Sequence, residues 1–364
     1  MRLLLVLVTL GLAGCASYYQ GPPSDHFDGR RFHNPEPRIE RPPFAFLRWL
    51  LTRDPGAWPE HVPLAQADRP PRRVEGGMLR VSFVNHATLL LQTRGLNILT
   101  DPVWSERASP VSWAGPRRVQ PPGIAFDDLP PIDVVLVSHN HYDHLDLATL
   151  ARLQARDAPR VLVPLGNDAI LARHDPPIAA DALDWGDRVA LSRSVAVTAA
   201  PMRHWSARGP FDRNAALWAA FAISTPEGTI YFVGDSGYDA AMFREARQAF
   251  APIRLALLPI GAYEPRWFMR PVHMTPAEAV QAHRDLAAPR SLGIHQGTFR
   301  LADEAYDAPR QALARARQAA GVPAACFPAP ANGEVFTLPA TAALASPCKV
   351  PAAQSSQRSS QSPP

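Results

Sequence analysis

The sequence has almost no lysine, few cysteines, and no apolar run long enough to cross a bilayer. Lys349 is the one lysine among 37 basic residues, and the arginines are distributed along the whole 364-residue chain. Such an even spread reflects genomic base composition, whereas a nucleic-acid-binding protein gathers its basic residues into a local patch. The sequence therefore predicts no nucleic-acid partner, and the net charge of +4 is too modest to suggest one.

Cysteine is found at positions 15, 326 and 348, and none of the three lies within a group of metal-ligand residue types. A metal site built on thiolates is therefore not expected. In an oxidising compartment Cys326 and Cys348 could pair. Because Cys348 lies in a polar tail, the sequence alone leaves that pairing open.

The longest N-terminal apolar run, Leu3 to Leu12, follows a positively charged start and ends in small residues. It is shorter than the roughly 20 residues that span a bilayer, so it predicts a secretory signal. Residues 12–15, Leu-Ala-Gly-Cys, resemble the bacterial lipobox, which implies a lipidated Cys15 as the first mature residue. A stable anchor needs two or more acyl chains. The resemblance places the protein in the cell envelope, with Ala16 permitting sorting to the outer membrane, facing the periplasm. The alternative is an ordinary cleaved signal with an incidental cysteine.

Composition divides the rest of the chain into three parts. Residues 16–77 are rich in proline and arginine and predict an extended wrap or tether. Residues 78–339 predict the folded domain, and residues 340–364, rich in Ala, Ser, Gln and Pro, predict a disordered tail. The island Phe44–Leu51 predicts either a short amphipathic helix on a bilayer or lipid entrance, or a cover for the core.

Strand-like and helical patterns alternate through the predicted domain. Apolar runs predict strands at 79–84, 88–92, 97–100, 134–137, 161–163, 195–198, 217–223, 229–233, 255–259, 291–294 and 334–338. Helical patterns cover 144–156, 167–174, 239–250, 275–287 and 308–320, and Thr275-Pro-Ala-Glu278 supplies a capping box. The pattern predicts a layered α/β domain with two sheets packed together and helices outside.

One stretch contains the highest density of residues that can bind a metal. The buried strand Val134 to Val137 is followed at its carboxyl end by His139, His141, Asp143 and His144. Alternation along an extended turn points the first two histidines toward one ion and leaves the last two residues for a second. Imidazole and carboxylate ligands of this density are typical of a metal site, and an open position would hold water.

Three later residues close other apolar runs in the same way, and sites form beyond the carboxyl ends of strands. These residues are His204, Asp235 and His295. Each alone is as readily a structural residue. Together with the first four residues they complete a set of seven candidate ligands.

The order His-x-His-x-Asp-His, then His, Asp and His, resembles that of the metallo-β-lactamase superfamily. Longer stretches are similar to its N-acyl-phosphatidylethanolamine-hydrolysing phospholipase D branch. These stretches are Leu99–Pro110, Leu129–Asp133, Ser138–Asp146, Gly234–Tyr238, Pro259–Met269 and His295–Phe299. The sequence departs from that branch at Gln296, where tryptophan is usual, which puts the shape of the pocket in doubt.

The resemblance implies an αββα sandwich of two mixed β-sheets flanked by helices, holding two Zn²⁺ ions. Its implied ligands are His139, His141 and His204 on one ion and Asp143, His144 and His295 on the other, with Asp235 bridging them. The aspartate stands where common β-lactamases of the superfamily have cysteine, which argues against β-lactamase activity. Iron or manganese would suit the same nitrogen and oxygen ligands.

The resemblance also implies roles around the metals. Asp101 would hold a ligand histidine, expected to be His139, by its free ring N–H. Asp143 would orient the nucleophile, and His273, before a helix N-terminus, would contact phosphate or protonate the leaving group. His86 matches a further position of the family. Asp101 is otherwise a surface-turn residue, and the two histidines are otherwise packed structural residues.

The expected function is therefore a binuclear-metal phosphodiesterase of the phospholipase D type. Its expected partner is a phospholipid, N-acyl-phosphatidylethanolamine or a relative, and the resemblance suggests a homodimer. The alternatives are a lactonase or soluble phosphodiesterase on the same metals, or a non-catalytic envelope lipoprotein that keeps the site for structure.

Overall fold

The structure is a computed structural model that describes residues 18–35, 39, 42, 44–340 and 348. The predicted signal segment, with the lipidation expected at Cys15, and most of the predicted tail lie outside the described residues. Within the described ranges no helix has both the length and the apolar character needed to cross a membrane.

The described chain contains thirteen strands and seven α-helices. The strands are β1 (Leu79–Asn85), β2 (Thr88–Thr93), β3 (Leu96–Thr100), β4 (Val134–Leu136), β5 (Arg160–Pro164), β6 (Asp181–Leu183), β7 (Arg188–Ala190), β8 (Ala196–Ala200), β9 (Ala220–Thr225), β10 (Gly228–Phe232), β11 (Ile253–Pro259), β12 (Ser291–Ile294) and β13 (Val335–Leu338). The helices are α1 (Ala45–Leu51), α2 (Leu147–Asp157), α3 (Asn167–Leu171), α4 (Ala240–Phe250), α5 (Arg266–Met269), α6 (Pro276–Asp285) and α7 (Ala308–Ala320).

The strands form two mixed sheets. One has the order β13-β1-β2-β3-β4-β5-β6 and the other β12-β11-β10-β9-β8-β7. Neighbours are parallel from β3 to β6 and from β10 to β12, and antiparallel elsewhere. The parallel strands of each sheet therefore deliver their carboxyl ends to a common edge, which is where loops can converge on a site.

Side-chain alternation builds the layers between and outside the sheets. Phe83 of β1 faces Phe221 and Phe232 of the second sheet in the central core, because residues two apart on a strand share a face. Helix α2 covers the outer face of the first sheet with Leu150. Helices α4, α6 and α7 cover the outer face of the second, where Phe243 is buried. The predicted αββα sandwich is confirmed.

The structure adds two strands to those predicted and shifts a third. Strands β6 and β7 are three residues long and partly exposed, so they lack the apolar run that marks a buried strand. The run predicted as a strand from Leu217 enters the sheet only at Ala220. The residues before Ala220 contact the loop after β4 instead of a neighbouring strand, because the N–H of Ala219 donates to the carbonyl oxygen of Ser138. The capping box of Thr275 and Glu278 is present at α6.

The N-terminal segment is tied to the folded domain at two places. Phe27 and Phe32 are each 1% exposed and pack in the core beneath α4, α6 and α7. Helix α1 lies against α5, where the rings of Trp49 and Phe268 stack 5.0 Å apart. The C-terminal segment is tied as well, because Cys326 and Cys348 form a disulfide with Cα atoms 5.5 Å apart. The structure thus shows that Cys326 and Cys348 pair, a question that the sequence left open.

Candidate metal centre

Seven side chains that the sequence singled out meet at one edge of the sandwich. They reach it from four loops that each follow a strand: β4 supplies His139, His141, Asp143 and His144, β8 supplies His204, β10 supplies Asp235, and β12 supplies His295. All but His141 are buried, because both sheets and their loops close around them. The ends of the strands therefore bring candidate ligands that are far apart in the chain to one point.

A first group contains histidines alone. His141 Nδ1 lies 2.8 Å from His139 Nε2 and 3.3 Å from His204 Nε2. Three ring nitrogens therefore face one another: His141 Nδ1, His139 Nε2 and His204 Nε2. At most one proton can lie between any two of these nitrogens. These three residues form one of the sets whose ligand atoms lie close enough to share a cation.

A second group combines imidazoles with a carboxylate. Asp143 Oδ2 lies 3.3 Å from His144 Nε2, 3.3 Å from His295 Nε2 and 2.9 Å from His86 Nε2. These four residues form a second set that could hold a cation. The structure therefore adds His86 to the neighbourhood of the carboxylate, at hydrogen-bond distance.

Asp235 lies between the two groups. Its Oδ2 atom is 3.0 Å from His295 Nε2, 3.2 Å from His144 Nε2 and 3.8 Å from His204 Nε2. Its other oxygen is buried and has no hydrogen-bond partner among the described residues. A carboxylate placed in this way can contact cations on both sides.

The hydrogen bonds on the outer nitrogens decide which atoms face the centre. His144 donates from Nδ1 to Asp101 Oδ2 at 2.6 Å, and His204 donates from Nδ1 to the carbonyl oxygen of Val272 at 3.0 Å. His139 Nδ1 lies 3.0 Å from Ser138 Oγ, whose own proton goes to Asp101. In the neutral ring of each of these three histidines, the lone pair is therefore on Nε2, the atom that faces the centre. Convergent lone pairs beside carboxylates fit a cation such as zinc, iron or manganese.

The protonation states of the centre suit metal binding at every candidate ligand except His144 and His295. Burial lowers the pKa of His139 and of His204 well below the usual value, and that of His141 to about 3. Burial would raise the pKa of Asp143 and of Asp235, but the adjacent histidines outweigh it and hold both well below the usual value. Burial would also lower the pKa of His144 and of His295, but Asp235 and Asp143 outweigh it. They raise the pKa of His144 well above the usual value and that of His295 to about 9. Because a metal requires neutral imidazoles and ionised carboxylates, these two histidines would release protons when it binds.

Asp101 supports the centre, but through a different histidine from the expected one. We predicted that it holds His139, and that prediction is wrong, since its carboxylate accepts from His144 Nδ1 and from the N–H and hydroxyl of Ser138. Ser138 in turn stands between Asp101 and His139. The expectation failed because spacing along the chain places Asp101 at the end of β3 but does not show which imidazole leans toward it.

Two further predicted residues border the same centre. His273 Nδ1 is buried, lies 3.9 Å from Asp235 Oδ2, and has no hydrogen-bond partner among the described residues. His86 occupies the turn between β1 and β2 with φ 47°, and Asp101 and His295 also have positive φ, 33° and 59°. Non-glycine residues rarely adopt this region, and such strain collects at functional sites.

Asn34 was missed by the sequence reasoning. It accepts a hydrogen bond from the His204 N–H at 3.0 Å and donates to the His204 carbonyl at 2.8 Å. The N-terminal segment therefore clamps the backbone of a candidate ligand. No signal in the sequence identifies this role, since an asparagine in a proline-rich segment is as readily a turn residue.

A cavity of about 770 Å³ opens onto the centre. Its polar floor contains His141, Asp143, Asp235, His273 and His295. Its walls are mainly apolar and include Phe44, Phe46, Trp49, Ala262, Phe268, Met269, Val272 and Leu301. Gln296 is not part of this lining: its side chain donates to the carbonyl of Pro330 and accepts from Arg310. The departure from the family at Gln296 is thus directed away from the cavity.

Comparison with known proteins identifies a family of metal-dependent hydrolases, in agreement with the cluster of histidines and aspartates described above. The family described as the β-lactamase superfamily domain matches residues 96–296. An N-acyl-phosphatidylethanolamine-hydrolyzing phospholipase D of Caenorhabditis elegans is 38% identical over 251 residues, covering 66% of this chain and 69% of the relative. An uncharacterised protein of Mycobacterium tuberculosis is 37% identical over 284 residues, covering 77% and 75%.

A solved structure of a possible metal-dependent hydrolase from Veillonella parvula has a TM-score of 0.59 and 16% identity, covering 72% of this chain and all of that one. Identity this low supports the fold alone. Taken with the sequence matches and with the His and Asp cluster at the strand ends, it leads to one conclusion. The chain belongs to the metallo-β-lactamase superfamily and is a metal-dependent hydrolase with phospholipase D relatives.

Proposed function

We propose that the protein is a binuclear-metal phosphodiesterase of the phospholipase D type, acting on N-acyl-phosphatidylethanolamine or a related phospholipid. The observation that carries the proposal is the junction of a His and Asp cluster with a large apolar cavity. A phosphate diester suits the polar floor, and acyl chains suit the apolar walls. The C. elegans relative, named for this reaction, supports the choice of lipid.

We propose that the two groups of the centre would hold two ions and that both ions are zinc. His139, His141 and His204 would hold one ion, Asp143, His144 and His295 the other, and Asp235 would contact both. Two bound ions supply activation of water and neutralisation of charge on the phosphate oxygens. The hydrogen bonds to Asp101 and Val272 keep Nε2 of His144 and His204 free to bind them.

Other residues of the floor would handle the nucleophile and the leaving group. Asp143 would orient the nucleophile, with its carboxylate held by His86 Nε2 at 2.9 Å. His273 faces the cavity from beside Asp235 with an uncommitted Nδ1. It would contact the phosphate or protonate the departing oxygen. Hydrolysis in this arrangement would leave phosphatidate and an N-acylethanolamine.

The mouth of the cavity suits a substrate that stays in its bilayer. Helix α1 and the residue before it expose large apolar side chains, with Phe44 79% and Leu51 76% exposed. Phe44 and Phe46 also line the cavity, so the exposed surface and the pocket are continuous. We propose that this helix rests in the membrane surface while a lipidated Cys15 anchors the chain to the outer membrane. The disulfide suits an oxidising compartment such as the periplasm.

The test is turnover of N-acyl-phosphatidylethanolamine in detergent micelles by the purified protein, with its metal content measured. We expect phosphatidate release that chelation abolishes and zinc restores. A protein that opens lactones and leaves the lipid intact would instead be a lactonase. A His141→Ala variant separates a catalytic from a structural centre, since the proposal requires a folded and inactive protein, whereas a structural site requires unfolding.

A further inference from the structure

Arg213 lines the cavity one aromatic ring away from the candidate metal centre. Its guanidinium lies over the ring of Trp205, 4.1 Å from the centroid. The Trp205 ring is in turn 4.4 Å from the ring of His141. Stacking on an aromatic face holds the planar guanidinium in a fixed orientation while leaving its N–H groups at the edge available.

The guanidinium has no anionic partner among the described residues. Within the described part of the chain it stacks on Trp205 and forms no ion pair, whereas the neighbouring Arg208 donates to the carbonyl oxygens of Asn140 and Leu145. Burial lowers the pKa of Arg213, and no carboxylate counteracts that shift. A partly buried cation without an acceptor is costly to keep. A ligand that supplies an anionic oxygen would remove that cost.

The charge of the cavity points to the same kind of ligand. The carboxylates of its described lining, Asp143 and Asp235, belong to the candidate metal centre. The rest of that lining is apolar except for Tyr142, histidines and Arg213. Beyond the metal ligands, Arg213 is therefore the permanent charge of the described wall, and a guanidinium matches phosphoryl oxygens in geometry.

We propose that Arg213 is a positioning residue that binds a phosphoryl oxygen of the substrate and gives the cavity its preference for anionic phosphodiesters over neutral esters. The inference rests on the proposed function for the identity of the phosphodiester. It assigns to the wall of the cavity a recognition step separate from the metal centre. Trp205 orients the guanidinium toward the ligand, so the cation is in place before the lipid arrives.

The experiment compares Arg213→Gln and Arg213→Lys with the unaltered, zinc-loaded protein. Equilibrium binding of phosphatidate and of the matching neutral diacylglycerol is measured in micelles of a nonionic detergent. We expect Arg213→Gln to weaken phosphatidate binding by roughly tenfold or more, as for loss of a hydrogen bond between charged groups. Binding of diacylglycerol should change less than about twofold on the same scale. Arg213→Lys should recover part of the loss, because it keeps the charge without the planar fork.

Turnover of the phosphodiester supplies a second reading. We expect Arg213→Gln to raise KM with a smaller change in kcat and with unaltered zinc content, since the residue contacts substrate rather than metal. Arg152→Gln is the matched control, because Arg152 also stacks on an aromatic ring, Phe126, at 3.7 Å on the outside of the domain. It should leave all these values unchanged.

The outcomes separate this inference from the proposed function. Equal weakening of phosphatidate and diacylglycerol, or loss of zinc from Arg213→Gln, would overturn the role of Arg213. A protein that fails to hydrolyse the phospholipid, yet binds phosphatidate through Arg213, would overturn the proposed function and leave the anion site standing.

Discussion

The two halves of the candidate metal centre differ in how many of their imidazoles have a carboxylate partner. The half containing His139, His141 and His204 brings ring nitrogens against one another with no acid among them. The half containing Asp143, His144 and His295 pairs each imidazole with a carboxylate oxygen at 3.3 Å or less. One proton on His141 Nδ1 cannot satisfy both facing nitrogens of the first half, whereas each imidazole of the second half already has a carboxylate partner.

The largest effect is expected at the residue that belongs to both halves. Asp235→Asn removes the charge that contacts His144, His204 and His295. Because bound metals contribute several kcal/mol of transition-state stabilisation, we expect hydrolysis to fall by about a thousandfold or more. Metal content should fall at the same time, as elemental analysis of the purified variant would measure. Activity and metal content near those of the unaltered protein would show that the two halves do not share this carboxylate.

Removing one imidazole from each half tests the difference directly. His141→Ala and His295→Ala should each lower zinc content, and should lower activity by more than the roughly 10- to 100-fold expected for loss of a residue that supports a ligand. Their metal-free forms should diverge in stability. His141→Ala removes a ring from the group that has no carboxylate, whereas His295→Ala deprives Asp143 and Asp235 of a partner.

We therefore expect the free energy of unfolding, measured by denaturant titration in chelator, to fall by about 1–3 kcal/mol for His295→Ala. For His141→Ala it should stay within about 1 kcal/mol of the unaltered value. Equal losses in the two variants would remove the asymmetry between the halves.

Asp101→Asn should have a smaller effect that reaches both halves through Ser138. The carboxylate accepts from His144 directly and fixes the Ser138 hydroxyl beside His139. Partners of ligand histidines typically contribute 10- to 100-fold to metal affinity, so a loss of about that size is expected from competition with a chelating dye. Asp127→Asn, at a carboxylate that is 94% exposed, is the control and should not change affinity.

The smallest effect is expected outside the centre, at the mouth of the cavity. Leu47→Ser combined with Leu50→Ser removes apolar area from the exposed face of α1. We expect activity on lipid in vesicles to fall about tenfold, since burying such side chains is worth roughly 1.5–3 kcal/mol each at most. Activity on dispersed short-chain substrate should be unchanged. Met78→Ser, also at an exposed apolar residue, is the control, and an equal fall with both substrates would count against bilayer docking.

The sequence predicted the candidate ligands better than it predicted the contacts among them. A short motif after an apolar run identifies His139, His141, Asp143 and His144 because strand ends expose side chains at fixed spacing. It does not identify which histidine Asp101 supports, since imidazole orientation depends on packing from other loops. Strands β6 and β7 escaped prediction for a related reason: they are short, partly exposed, and defined by their neighbours rather than by their own apolar pattern.

The amino-acid sequence by itself determined the alternation of strands and helices, the seven candidate ligands and the superfamily, because each follows from local periodicity or from short motifs. The tertiary structure alone decided that these candidate ligands form two unlike groups joined by Asp235, and that Asn34 hydrogen-bonds to the backbone of His204. It also placed Arg213 in the cavity wall, stacked on Trp205 and without an anionic partner among the described residues. Those features arise where loops from both sheets and the N-terminal segment meet. Distances across such a meeting point are set by the packing of the whole sandwich rather than by any one stretch of chain.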